Sequence, residues 1–257
     1  MAMISPRANG WPRACAPPST MPWNARTISN AIQHYEGSLP DYGWPNWVLG
    51  NHDKSRVASR IGPRQARVAA MMLLTLRGTP TLYYGDEIGM RDVPIPADRV
   101  RDPFERNVPG LGLGRDPGRT PMQWDGSPHG GFTTGEPWLP LAADAAVVNV
   151  AAQRVDPRSM VTLYRRLLAL RRAEPALAVG PIAPLRAGGD LLAWVRKDAD
   201  RRFLVVLNLG ASPAAYTPPV LDLRGEIAVS THLDRDGEPV RRTVELRGDE
   251  GVVVRLD

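Results

Sequence analysis

Two short apolar runs, each ending in a polar cluster and separated by one amphipathic helix, constrain this chain more than any other feature. The first, Trp47-Val48-Leu49, stops at Gly50-Asn51-His52-Asp53-Lys54-Ser55-Arg56, and the second, Thr81-Leu82-Tyr83-Tyr84, stops at Gly85-Asp86-Glu87. Between them Val68, Met71, Met72, Thr75 and Leu76 recur at helical spacing, with Ile61-Gly62-Pro63 at the start and Gly78 as the stop. A methionine pair in such a stripe is core. An earlier helix has Asn24 as N-cap and Ile28, Ala31, Ile32 and Tyr35 on one face, with His34 off that face and Gly37 and Pro40 at its end. The order helix, strand, helix, strand, with polar residues after each strand, predicts βα units and a parallel sheet. Barrel enzymes present catalytic groups in such polar crowns at the carboxyl ends of strands. Asn51 and Asp53 are equally suited to making a turn and capping the next helix, and spacing alone leaves both readings open.

From Gly89 to about Asp156 the chain is rich in Gly, Pro, Asp and Arg, with little periodicity. Its embedded aromatics favour a functional excursion with short helices of its own. Met160, Leu163, Tyr164, Leu167, Leu168 and Leu170 then form an amphipathic helix. After Glu174-Pro175 come short strand-like runs at 191–195, 203–208, 227–230, 242–246 and 251–256, punctuated by Gly188-Gly189, Asp198-Ala199-Asp200, Asp236-Gly237 and Gly248-Asp249. That pattern predicts an antiparallel β domain, a sandwich. The expected division is an unstructured leader over 1–20, a first domain over 21–173 and a second over 174–257.

A net charge of +5 and a pI near 9.8 raise the question of nucleic acid. The only lysines are Lys54 and Lys197, and the arginines are interleaved with Asp and Glu, with no basic stripe carrying aromatics. The excess therefore reads as coding bias, and neither a nucleic-acid nor a membrane partner is expected. The single cysteine, Cys15, forms no internal disulfide, no Cys/His spacing suits zinc, and neither a metal nor a cofactor is expected. No apolar run approaches the roughly 20 residues that span a bilayer. Residues 1–7 lack the apolar segment of a secretory signal, so a cytoplasmic location is expected.

Trp44-Pro45-Asn46-Trp47-Val48-Leu49-Gly50-Asn51-His52-Asp53 and Arg77-Gly78-Thr79-Pro80-Thr81-Leu82-Tyr83-Tyr84-Gly85-Asp86-Glu87-Ile88-Gly89-Met90 together resemble the α-amylase superfamily of glycoside hydrolases. Arg119-Thr120-Pro121-Met122-Gln123-Trp124-Asp125 and Gly131-Phe132-Thr133-Thr134-Gly135-Glu136-Pro137-Trp138 are similar to its α-glucosidase and oligo-1,6-glucosidase branch. The resemblance covers about Met21 to the C-terminus. It implies an α/β plus all-β fold: the last two βα units of a (β/α)8 TIM barrel followed by an antiparallel β-sandwich. On that template the run at Trp47 matches the seventh barrel strand and the run at Leu82 the eighth.

The same resemblance assigns roles. Asp53 matches the carboxylate that stabilises the transition state, His52 the residue that hydrogen-bonds sugar hydroxyls, and Arg119 a position near the glucose subsite. The family's nucleophile, an Asp after the fourth strand, and its acid/base, a Glu after the fifth, have no counterpart in this sequence. Retaining hydrolysis needs that pair roughly 5–5.5 Å apart. The chain is thus expected to be a fragment of a retaining α-glucosidase acting on α-gluco-oligosaccharides, inactive alone, from a truncated gene or a start placed mid-gene. Alternatives are a non-catalytic sugar-binding or interaction module, and a fragment of a trehalose synthase or other transglycosylase. Asp86 and Glu87 are expected to diverge and to make structural contacts beneath the site. His129 and His232 are expected to be exposed, Trp124 and Trp138 either to stack on sugars or to pin the loop, and Asp236-Gly237 to be a hairpin turn.

Overall fold

The computed structural model describes residues 21–219 and 222–257. The leader expected over residues 1–20, Cys15 included, lies outside the described residues. In chain order the elements are α1 (Ala25–Gly37), β1 (Asn46–Val48), α2 (Val57–Thr75), β2 (Thr79–Thr81), α3 (Pro103–Asn107), α4 (Val150–Val155), α5 (Met160–Ala173), α6 (Pro175–Ala178), β3 (Ile182–Leu185), β4 (Leu191–Lys197), β5 (Arg202–Asn208), β6 (Ala214–Tyr216), β7 (Arg224–Ser230), β8 (Pro239–Arg241), β9 (Val244–Leu246) and β10 (Gly251–Leu256). They fall into two compact units. One ends its first stretch at Val48 and resumes over Arg67–Thr81 and Leu163–Asp257; the other comprises Leu49–Ala66 and Leu82–Thr162. No helix among the described residues is long and apolar enough to cross a membrane.

In the first unit α1 follows its sequence pattern. The Thr27 N–H donates to Asn24 Oδ1 at 2.9 Å, closing the N-cap, and Ala25, Ile28, Ile32 and Tyr35 are buried. β1 and β2 pair in parallel, with Asn46 opposite Thr79, Trp47 opposite Pro80 and Val48 opposite Thr81. Trp47 is buried edge-on against Tyr35, ring centroids 5.1 Å apart. The second strand lies earlier than the expected Thr81–Tyr84, because β1 ends at Val48 and leaves residues beyond Thr81 without a ladder partner. No further strand among the described residues pairs with either.

The connecting helix α2 begins at Val57, four residues before the expected start. Gly62, at φ 80° and ψ 160°, interrupts it, so Pro63 opens a second helical segment rather than the helix itself. The last carbonyls of α2, which have no partner inside the helix, are met by two arginines from downstream. Arg171 Nη1 donates to the oxygens of Leu74 and Leu76, each at 2.9 Å, and Arg196 Nη1 donates to that of Thr75 at 2.6 Å. Arg196 is fully buried, and burial, together with the charge of Arg171, pulls its guanidinium down to about 9.

The C-terminal half of that unit is a six-stranded antiparallel sheet ordered β3-β4-β5-β10-β7-β8, with β6 paired to β9. One sheet face, bearing Leu191, Ala193, Leu204, Val206 and Val252, shares a core with Tyr216, Val244 and Leu246 of the β6–β9 pair. On β4 and β5 the intervening side chains Leu192, Trp194, Phe203, Val205 and Leu207 are buried as well, so the strands read as near-continuous apolar runs. The short β3, β6 and β8 were not expected from the sequence. β3 and β8 are edge strands that carry Pro184 and Pro239, where proline is tolerated. Leu168, expected on the buried stripe of α5, is exposed. Asp236-Gly237 lies in the β7–β8 connection, as expected of a turn, with Gly237 at φ 73°.

The second unit holds the long excursion. It contains α3, α4 and short 3-10 turns at Asp86–Ile88, Ala97–Arg99, Asp116–Gly118 and Pro128–Gly131, around a small core of Ile88, Met90, Met122 and Val161.

Candidate active site

Immediately after β1 the chain turns sharply. Asn51 Oδ1 accepts the Asp53 N–H at 2.9 Å, so the turn-making role falls to Asn51. Asp53 does not cap α2; the carboxylate facing the start of that helix is Asp92, whose Oδ1 accepts the Arg56 N–H at 2.8 Å. Asp53 instead meets two guanidinium groups. Its Oδ1 accepts from Arg115 Nη1 at 3.1 Å and from Arg119 Nη2 at 3.3 Å, while its Oδ2 lies 3.4 Å from His52 Nε2. Arg119 Nε also donates to the His52 carbonyl at 2.8 Å. His52, Asp53 and Arg119, the residues singled out in the sequence, are thus brought together, with the side chains of His52 and Asp53 68% and 47% exposed and open to a ligand.

Arg115 is the member that the sequence reading missed. It is itself held by a fork of bonds to the buried Asp102, Nε to Oδ2 at 2.8 Å and Nη2 to Oδ1 at 2.9 Å. That hydrogen-bonded pairing holds the Asp102 carboxyl far below the usual range and raises the Arg115 guanidinium. Asp102 Oδ2 also accepts the Arg115 N–H at 2.7 Å, and Asp116 Oδ2 accepts the N–H groups of Arg101 and Asp102 at 2.7 and 2.8 Å. The signal was the tripeptide Arg-Asp-Pro, which occurs at 101–103 and again at 115–117; the two copies clasp each other.

Arg119 also lines a cleft of about 740 Å³ walled by Tyr84, Trp124, Phe132 and Trp138 and carrying Glu87 and Glu136. Trp138 is 80% exposed and so pins nothing. His129 and His232 are half-buried rather than exposed. His129 Nδ1 lies 4.0 Å from Glu136, whose other oxygen pairs with Arg99 at 2.9 Å.

Asp86 and Glu87 diverge, as adjacent residues on a turn should. Glu87 faces the cleft, whereas Asp86 is buried, and neither of its oxygens finds a hydrogen-bond partner. Burial pushes its carboxyl up to about 7, against the pull of Arg56. Arg56 is fully buried too, with Nη1 donating to the Tyr84 carbonyl at 2.6 Å and its guanidinium over the Tyr83 and Tyr84 rings. Gly85, at φ 85°, is required here: a Cβ would stand 2.7 Å from Arg56 Nη1. No group of three His, Cys, Asp or Glu side chains among the described residues is placed to hold a metal ion.

Comparison with known proteins places the chain in a family. Residues 14–180 match the family model of the alpha amylase catalytic domain, and the chain belongs to that family. The amino acid transporter heavy chain SLC3A1 of Rattus norvegicus is 33% identical over 90% of this chain and 34% of its own length. A probable alpha-glucosidase of Rhizobium meliloti is 32% identical over 81% of this chain and 39% of its own length. The trehalulose synthase MutB of Pseudomonas mesoacidophila MX-45 superposes with a TM-score of 0.82 at 28% identity, over 93% of this chain and 48% of that one; a MutB variant has been crystallised with glucose. The chain therefore spans between a third and a half of the length of these relatives.

Proposed function

We propose that this chain is the C-terminal part of a retaining α-glucosidase that acts on α-linked gluco-oligosaccharides in carbohydrate metabolism, and that by itself it binds sugar without hydrolysing it. The observation that carries this reading is Asp53, held by Arg115 and Arg119 beside an aromatic-walled cleft. In this reading Asp53 stabilises the transition state through sugar hydroxyls, with His52 and Arg119 as further donors. Contacts of this kind tighten as the sugar ring distorts, but they do not replace the covalent step. The attacking carboxylate and the protonating acid have no counterpart in the sequence. β1 and β2 are read as the seventh and eighth strands of a (β/α)8 barrel, with residues 21–173 as its share of the catalytic domain and 174–257 as a β-sandwich. A cytoplasmic location goes with this reading. Release of p-nitrophenol from a p-nitrophenyl α-glucoside, followed beside calorimetric titration with maltose and isomaltose, tests it: saturable binding without turnover is expected.

A second reading has its own support. The relative in Rattus norvegicus is named as a transporter heavy chain, not as a hydrolase. A non-catalytic interaction module of the same fold would show neither turnover nor sugar binding. The likeness to the trehalulose synthase MutB supports the alternative that the chain is a fragment of a trehalose synthase or other transglycosylase, and the same three residues would serve it.

A further inference from the structure

The stretch between the two Arg-Asp-Pro copies is not used by that reading. Its ends are fixed by the Asp102 and Asp116 clasp, and within it Glu105 accepts the N–H groups of Gly110 at 2.9 Å and Gly114 at 3.1 Å. Yet this tied loop turns Phe104, Val108, Leu111 and Leu113 to solvent, Leu111 at 66% exposure. A loop already held in one conformation pays little ordering entropy when a partner covers it. Exposed apolar groups gathered on one such element mark an interaction surface rather than scattered surface leucines.

The same unit carries a surface that complements it. The cleft walls are aromatic and open, and Glu87 at the cleft has no ion-pair or hydrogen-bond partner among the described residues. The loop segment presents Arg101 and Arg106, both exposed and without a carboxylate partner among the described residues. Apolar tip and aromatic hollow, basic flank and acidic rim are thus present on one molecule, and among the described residues they are not paired with one another. We propose that two copies of this chain associate reciprocally, the 103–114 loop of each seated in the aromatic cleft of the other. Such a contact is isologous and closes at a dimer. Because Arg119 belongs to the cleft, the seated loop also covers the approach to Asp53; that consequence alone rests on the sugar-binding reading.

Sedimentation velocity on the full chain across the micromolar range, without sugar, tests the association independently of any function. The wild-type chain is expected to form a discrete dimer. Leu111→Ser with Leu113→Ser, on the exposed loop, and Trp138→Ala, in the exposed cleft wall, should each weaken it by about tenfold or more. Arg106→Glu should weaken it and Glu87→Arg in the same chain should restore it. A chain monomeric throughout, which would leave the loop to a different polypeptide, overturns the proposal. So does a dimer or larger species indifferent to the substitutions, or sensitive to those in the loop but not in the cleft.

Discussion

Asp53 stands among guanidinium groups that come from far along the chain, Arg115 being 62 residues away. The cluster Asn51-His52-Asp53 was legible because a strand ending in polar residues announces itself locally. Arg115 was not, since only the fold of the excursion delivers it, although the repeated Arg-Asp-Pro marked the place. Asp53→Asn keeps the shape but removes the charge that both arginines meet, and is expected to weaken maltose or isomaltose binding by about tenfold or more in calorimetric titration. Unchanged affinity would remove Asp53 from the site. Asp86 makes a different prediction. Its carboxyl titrates near 7 in the folded chain and near 3.9 when unfolded, so between those values the folded state holds the extra proton. Stability should therefore fall as pH rises from about 4 to about 7 and level off above, a loss on the order of 4 kcal/mol in all. Urea unfolding at about pH 5 and about pH 8 should show that Asp86→Asn flattens this slope and is the more stable form at the higher pH. An identical slope in both proteins would contradict the assignment.

At the scale of elements, the helices and the long strands were readable because burial imposes a period on them. α1 shows its face and its cap in the sequence, and β4, β5, β7 and β10 show apolar runs. The strands that were missed have three or four residues, two of them with a proline, too short to carry a pattern. Leu204, with no exposed surface on β5, faces the core shared with the β6–β9 pair. Leu204→Ala is expected to lose about 3 kcal/mol of unfolding free energy in a denaturant titration. The excursion was expected to be ordered without its tether being foreseen, because the clasp is made by carboxylates bonding to backbone N–H groups, which leaves no periodic trace. Asp102→Ala removes the partner of Arg115 and one side of the clasp. Cleavage within 103–114 by a low dose of protease should then quicken by about tenfold, since local opening governs such cutting. An unaltered rate would show that the loop is held by other means.

For the molecule as a whole, the parallel pairing expected from the order helix, strand, helix, strand is present as a sheet of two strands. Both β1 and β2 have an outer edge with no strand partner among the described residues, and Leu82 and Tyr84 just beyond β2 are exposed. A parallel pair is ordinarily buried within a larger sheet. The six-stranded C-terminal sheet, with a packed core of its own, has no such need. Limited proteolysis is thus expected to trim residues 21–173 well before 174–257; equal resistance of the two parts would contradict that ordering. In the proposed function Asp53, His52 and Arg119 bind sugar, and the chain does not hydrolyse it without an attacking and a protonating carboxylate. The direct measurement is the release of p-nitrophenol from a p-nitrophenyl α-glucoside by the purified chain. Release no faster than in buffer, with sugar still bound, is the expected result; steady turnover that Asp53→Asn abolishes would contradict it.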